Sequence, residues 1–263
     1  MEILVCIKRV PNTEENEIEL DSSGSNIKRS DLVYSVNEWD NYAVEEAIQI
    51  REKYGGTVTV VTVDAEAGDE VLRRELAMGA DKGIHLLDRA FEGSDGKGIA
   101  RILKAEAEKG DYDLILTGVQ ADDGAAQVGG MLAAMLGWPY ASIVNYLEVL
   151  DDKRIRIYRE VAGGNQEVYE MDLPCVLSIQ TGINEPRYVP LRGVMKAADL
   201  QIPVHTAPDL DLSPDAIGES GAKVKRRDYF VPEVGDGAEM LEGTTEEIVE
   251  KLIDLLKAKG GIR

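Results

Sequence analysis

TVTVVTV, residues 57–63, decides the fold. The run is β-branched and shows no polar alternation, which is the composition of a strand covered on both faces. Strands of that kind belong to parallel sheets whose crossover connections are helices. The residues before it supply the preceding unit: residues 3–7 read as a first strand, and Asn37 is a good N-cap for a helix carrying Ala43, Val44, Ala47 and Ile48 to a terminator at Gly55-Gly56. The residues after it continue the alternation, with strands expected at 82–87 and 114–118. Helices at 67–78, 97–108 and 127–136 carry apolar residues at three-and-four spacing. The pattern predicts an α/β fold with a doubly wound, mostly parallel sheet.

Two stretches depart from that alternation. Residues 12–29 carry EIEL, a DSSGS turn and NIKR, which predicts a small hairpin inserted after the first strand and lying over the carboxyl ends of the sheet. After Trp138-Pro139, the segments 144–150, 154–160 and 166–171 are separated by turns at Asp151-Asp152 and Gly163-Gly164, which predicts an antiparallel insert beside the main sheet. Residues 175–179 return to a buried apolar run. From Pro203 onward the chain turns polar and ends in an amphipathic helix at 245–257, with Ile248, Leu252 and Leu255 on one face. The expected organisation is an α/β domain over 1–203 and a C-terminal arm over 204–263, whose apolar stripe would pack either on the parent domain or on a partner chain.

Composition narrows the function. The 263 residues suffice for a sizeable core, and 29 basic against 49 acidic residues give a formal charge of −20. That charge repels phosphate backbones and anionic lipid, so no nucleic-acid partner and no direct membrane insertion are expected. No apolar run reaches the roughly 18 residues of a membrane span, and the opening residues lack the pattern of a secretory signal, so a cytoplasmic location is expected. Cys6 and Cys175 lie in apolar strand-like runs without CxxC spacing and read as buried thiols.

The stretch with most chemical content is GVQADDGAAQVG, residues 118–129, between a strand and a helix. In open α/β sheets ligands sit at the carboxyl ends of strands, where loop amides and helix N-termini favour phosphate. Gly118 and Gly124 would let backbone approach a ligand, and Gln127 could donate to a phosphate oxygen. An ordinary glycine-containing loop is the equal alternative on composition alone, since neither GxGxxG nor a Walker A pattern is present. The two histidines, His85 and His205, have no metal-ligand spacing, and there is no GxSxG elbow. Asp122-Asp123 reads as a solvated turn or a ribose contact, so no catalytic residue and no metal site are assigned, and binding is the expected role.

Four stretches in order resemble the β subunit of electron-transferring flavoproteins: CIKRVP (6–11), ELAMGAD (75–81), TGVQADDGAAQVG (117–129) and NEPRYVPLRGVMKA (184–197). The likeness runs to about Pro203, and its last stretch is similar to the signature of that subunit. The resemblance implies a sheet of the adenine-nucleotide α-hydrolase-like type and a heterodimer with an α subunit that holds the electron-carrying FAD. It implies a nucleotide pocket of Cys6, Asn37, Val63, Asp64, Ala121, Asp123, Gln127 and Val128. It further implies a recognition loop over 184–197, in which Asn184, Glu185, Pro186, Arg187, Tyr188, Met195 and Lys196 surround Leu191 as apolar anchor. That loop would dock on acyl-CoA dehydrogenases or related flavoenzymes, and electrons would leave to a redox protein such as a quinone oxidoreductase. The expected role is therefore an electron carrier and not a substrate-transforming enzyme.

Within the family some members hold a structural AMP in this subunit and others a second FAD that bifurcates electrons. DRAFEGSDGKGIA, residues 88–100, begins like the bifurcating form but carries Gly96, Lys97 and Gly98 where that form is threonine-rich; the nucleotide loop is also one residue shorter than QAIDGDTAQVG. AMP is the expected ligand and a second FAD the alternative. A stand-alone nucleotide-binding protein of the universal-stress type would share the sheet but have no use for NEPRY, and a ligase or hydrolase of this fold would show an SGGxDS-like loop, which is absent.

Overall fold

The computed structural model describes residues 1–24, 26–65, 68–233, 235 and 237–262. It divides into two units, one of residues 1–19 and 28–227 and the other of residues 20–27 and 228–263. In chain order the first unit comprises β1 (Glu2–Cys6), β2 (Arg9–Pro11), β3 (Tyr34–Val36), α1 (Glu38–Tyr54), β4 (Thr57–Asp64), α2 (Glu70–Met78), β5 (Lys82–Leu87), α3 (Gly96–Ala107) and β6 (Leu114–Gly118). It continues with α4 (Val128–Leu136), β7 (Tyr140–Val149), β8 (Arg154–Val161), β9 (Asn165–Asp172), β10 (Cys175–Ile179), α5 (Leu191–Ala198), β11 (Val204–His205) and α6 (Gly218–Gly221).

Among the described residues one nine-stranded sheet runs β11-β5-β4-β1-β6-β10-β7-β8-β9. Pairing is parallel from β11 to β7 and antiparallel from β7 to β9. TVTVVTV forms β4, a central strand as expected, and Val58, Val60 and Val61 have no exposed surface. β1 shows why a strand between two helical layers is apolar throughout: Ile3, Val5 and Ile7 face a core shared with α1 and α2, while Leu4 and Cys6 face a second core shared with α3 and α4. From β1 the chain winds one way through β4 to β5 and the other way through β6 to β10, so the direction of winding reverses between β1 and β6.

Several local expectations are corrected. The antiparallel segment is no insert beside the sheet, because β7 pairs with β10 at one end and with β8 at the other, extending the same sheet. Among the described residues the small hairpin expected over 12–29 is an antiparallel bridge, Leu20 to Ile27, and regular strand pairing lies outside it, between β2 and β3. α2 starts at Glu70, not at residue 67, and Ala67 lies outside the described residues. Asn37 occupies the N-cap position of α1 without a side-chain cap bond. The polar run after Pro203 hides core residues: Ala207, Leu210 and Ile217 are buried in the α3/α4 core. Within the second unit Tyr229 N donates to Gly24 O at 3.3 Å, and α7 (Thr245–Ala258) opens with a capping box of Thr244 and Glu247.

Candidate functional site

The reversal between β1 and β6 places two outgoing loops side by side, and the residues expected to hold a nucleotide gather there. Cys6 is the last residue of β1, in register with Val61 on one side and Thr117 on the other. Burial and the nearby Asp40 carboxyl push its thiol well above the ordinary range, so it is an inert apolar wall. Asn37 is 2% exposed; its Nδ2 donates to Gln120 O at 2.8 Å while its Oδ1 has no hydrogen-bond partner among the described residues. A buried carbonyl oxygen left unpaired is costly unless a donor reaches it, and a ligand hydroxyl or amino group would do so.

The loop over 119–127 forms the opposite wall. A turn closes it through Gly124 N to Ala121 O at 2.9 Å, and Asp123 is held by the Lys8 ammonium and by Arg226 Nη2 at 3.3 Å. Partial burial alone would raise the Asp123 pKa, but these two cations outweigh it and keep the carboxylate below its ordinary range. Gln127 precedes α4 and its side chain lies against Gly96 at the start of α3; Val128 is the first residue of α4. Two glycines are required by close approach. A methyl group at Gly118 would overlap Asp40 Oδ1 and Trp39 Cβ, and one at Gly129 would overlap Ser178 Oγ beneath the loop. That Ser178 hydroxyl is in turn bonded to Thr117 Oγ1 at 2.8 Å and to the Tyr140 hydroxyl at 3.0 Å.

Val63 and Asp64 lie one strand further along, at the end of β4, where Asp64 Oδ2 contacts His85 Nε2 at 3.2 Å. Asp40 was missed by sequence reasoning. It is 5% exposed, accepts from Lys8 N at 2.8 Å and from Gly118 N at 2.9 Å, and burial pushes its carboxyl up to about 7 against the opposing effect of those bonds.

The second cluster of expected residues lies on the face of α1 and α2. Residues 184–187 are clamped to α1: Asn184 Nδ2 donates to Glu46 Oε2 at 3.0 Å and to Tyr42 O at 3.1 Å. Arg187 forms two forks, on Glu45 (Nε to Oε2 2.8 Å, Nη2 to Oε1 3.0 Å) and on Glu52 (Nη1 to Oε1 2.7 Å, Nη2 to Oε2 3.0 Å). Burial raises the Glu45 pKa, but the Arg187 and Gln49 hydrogen bonds outweigh it and hold Glu45 ionised below its ordinary range. The expected loop is partly helical, because LRGVMKAA after Pro190 forms α5, which packs on α2 with Gly193 against Ala77 O. Tyr188, Leu191 and Met195 are 90%, 76% and 66% exposed, whereas Arg187 and Asn184 turn inward. Glu185, Pro186 and Tyr188 line a groove with Arg73 and Arg74 of α2, and Lys196 lies in the last turn of α5.

Among the described residues no group of three or more His, Cys, Asp or Glu side chains converges as a metal site, and no helix is long and apolar enough to cross a membrane. Comparison with known proteins identifies the family. The family model for the electron transfer flavoprotein domain matches residues 25–210. The electron transfer flavoprotein subunit beta of Methylophilus methylotrophus is 37% identical, over 97% of this chain and 98% of that protein. That of Thermoanaerobacterium thermosaccharolyticum is 36% identical over 98% and 99%. Subunit CarD of the caffeyl-CoA reductase-Etf complex of Acetobacterium woodii is 37% identical, again over 98% and 99%. With a family domain spanning most of its length and relatives matched nearly end to end, the chain belongs to the electron transfer flavoproteins, as a beta subunit.

Proposed function

We propose that this chain is the nucleotide-holding, partner-docking subunit of an electron carrier, paired with an α subunit that holds the working FAD. The observation that carries the reading is the contrast within residues 184–198. Arg187 and Asn184 are tied into α1, and the same short segment sets Tyr188, Leu191 and Met195 outward with nothing of their own unit to cover them. A rigid mount bearing a few exposed apolar side chains suits brief docking on a flavoenzyme of the acyl-CoA dehydrogenase kind, because the mount removes ordering cost while the small contact keeps release fast. The flavin supplies the redox chemistry. This chain's residues bind, orient and dock, and the exposed apolar face of α7 (Val249, Leu252, Ile253 and Leu256) fits a surface of the α subunit.

The nucleotide in this subunit is read as AMP in the crevice between β1 and β6, with the adenosine polar groups meeting Asn37 Oδ1 and the phosphate meeting the loop over 119–127. The residues present fit such a group, since Asn37 offers a buried acceptor that has no partner among the described residues, and Gly118 and Gly129 allow the close backbone packing on which the loop over 119–127 is mounted. A second FAD in place of AMP is favoured by one feature, the DRAF start at residue 88. There Asp88 Oδ1 accepts from Ala90 N at 2.9 Å, and Asp95 caps α3 through Gly98 N at 2.9 Å. The relative from a caffeyl-CoA reductase complex adds to that alternative. Electrons then pass to a further redox protein, such as a quinone oxidoreductase in the AMP case.

The test is L191A in the heterodimer. Leu191 is exposed, so folding and heterodimer formation stay as in wild type while electron transfer from the donor flavoenzyme falls by about tenfold or more, the usual effect of truncating an apolar hot spot. Unchanged transfer rates would refute the docking role, and release of AMP or of a second FAD on denaturation distinguishes the two nucleotide readings.

A further inference from the structure

One carboxylate braces the crevice from beneath. β1 makes its last ladder bond when Ile7 N donates to Val61 O at 2.9 Å, and the next N–H, that of Lys8, turns instead to Asp40 Oδ2 at 2.8 Å. Gly118, the last residue of β6, gives its N–H to Asp40 Oδ1 at 2.9 Å. The two strands joined in this way are those at which the chain's winding reverses, so Asp40 spans the base of the crevice. Cys6, Asn37 and the start of the loop over 119–127 adjoin it.

We propose that Asp40 is a positioning residue for nucleotide binding: by accepting from both outgoing strand ends it fixes their separation and so keeps the crevice formed for an adenine nucleotide. The inference rests on the nucleotide reading given above. A carboxylate suits the task because each of its oxygens accepts, whereas an amide has one acceptor and would turn its own N–H bonds toward the second donor. The brace also has little slack. Asp40 is 5% exposed, and Gly118 lies so close to Asp40 and Trp39 that no side chain fits between them.

The brace responds to pH through its surroundings. Facing Asp40 are Lys8 and Cys6 from the end of β1, Glu75 from α2, Asn37 at the start of α1 and the Gly118 amide of β6. Burial raises the carboxyl to about 7, with the Gly118 and Lys8 amides, Asn37 and the Lys8 charge opposing that rise. Above that pH both oxygens accept as an anion. Below it the acid is neutral, its hydroxyl faces a donor, and one strand end loses its strong anchor.

The experiment uses the heterodimer with its α subunit, and compares retention of adenine nucleotide, assayed as AMP and FAD released on denaturation, for wild type and D40N between pH 6 and pH 8. Wild type is expected to hold the nucleotide at pH 8 and to bind it about tenfold more weakly at pH 6, the effect of losing one charge-assisted hydrogen bond. D40N is expected to bind about tenfold more weakly than wild type at pH 8 and to show little change with pH. Equal retention and equal pH profiles in the two proteins would overturn the proposal. Should D40N not fold, hydrogen exchange in wild type decides: protection of the Lys8 and Gly118 amides, corrected for intrinsic exchange, falls about tenfold from pH 8 to pH 6 if the brace acts. Constant protection overturns it. A wild-type complex holding no adenine nucleotide beyond one FAD removes the nucleotide reading itself and the proposal with it, a failure told apart by its appearing before any substitution.

Discussion

Glu75 sits on α2 with no exposed surface, and among the described residues neither carboxyl oxygen has a hydrogen-bond partner; the Arg74 Nε lies 3.6 Å from Oε1. Burial, with a smaller contribution from the Asp40 and Glu45 charges, overcomes the pull of Arg74 and raises the carboxyl from 4.5 to about 8. A carboxyl whose pKa is higher in the folded chain than in the unfolded chain favours folding below the unfolded value, and that favour is lost as pH rises to the folded value. At about 1.4 kcal/mol per pKa unit, the span from 4.5 to about 8 corresponds to about 5 kcal/mol, an upper figure because local relaxation and water entry reduce it. E75Q keeps the shape and the neutral polar character of the protonated acid but cannot ionise. Urea unfolding of both proteins at pH 5, 6, 7, 8 and 9 should show nearly equal stability at pH 5. E75Q should then gain on wild type by up to about 1.4 kcal/mol per pH unit until about pH 8, with a constant gap beyond. Asp40 titrates in both proteins, and its charge reaches Glu75 only as a contribution smaller than burial, so most of its effect cancels in the comparison. A gap that does not change with pH would refute the claim that ionising Glu75 is what the fold resists.

Two other substitutions test the mounts of the two sites. R187A leaves the nearly buried Glu45 without its cation and should destabilise by about 2 kcal/mol, less than a fully buried pair because Arg187 is one-third exposed; R187K, which keeps charge but not the forks, should fall between, as read by thermal unfolding. G118A forces a methyl group against Asp40 and Trp39 and should cost about 1–3 kcal/mol with loss of bound nucleotide, whereas the same change at the uncrowded Gly124 should cost less than about 1 kcal/mol.

The sheet was legible because its signals are local. TVTVVTV and the apolar run at 175–179 can only be strands buried on both faces, and the helices between strands keep their apolar spacing. In the 12–29 segment the reversal was legible and the extent of pairing was not, because a turn signal such as DSSGS fixes a reversal but not the length of pairing around it, and among the described residues one bridge forms there. α5 was hidden by its setting within NEPRYVPLRGVMKA. Pro190 and Gly193 read as loop residues, yet proline is tolerated at a helix entry, and the glycine is what lets α5 approach Ala77 O. The loop over 119–127 was legible as a loop by its position after a strand, while how Asp123 is held depends on Lys8 and Arg226, residues distant in sequence.

Asp40 and Glu75 share a sequence signal that was present but read past. Along α1 the buried stripe runs through Ala43, Val44 and Ala47, and Asp40 stands three and four residues before it; along α2 Glu75 follows Leu72 by three and precedes Leu76. An acid on the apolar stripe of an amphipathic helix has no solvated place to go, so it is either mated or costly. α1 shows the first outcome three times over: Asp40 takes two strand-end amides, Glu45 takes Arg187, and Glu46 takes Asn184. One helix therefore anchors both the ends of β1 and β6 and the segment 184–187, from positions within two turns of each other. α2 shows the second outcome at Glu75, whose oxygens meet no donor. The same pattern thus separates two outcomes by partner alone: a mated acid on an apolar stripe holds a neighbouring segment in place, and an unmated one is a cost in stability.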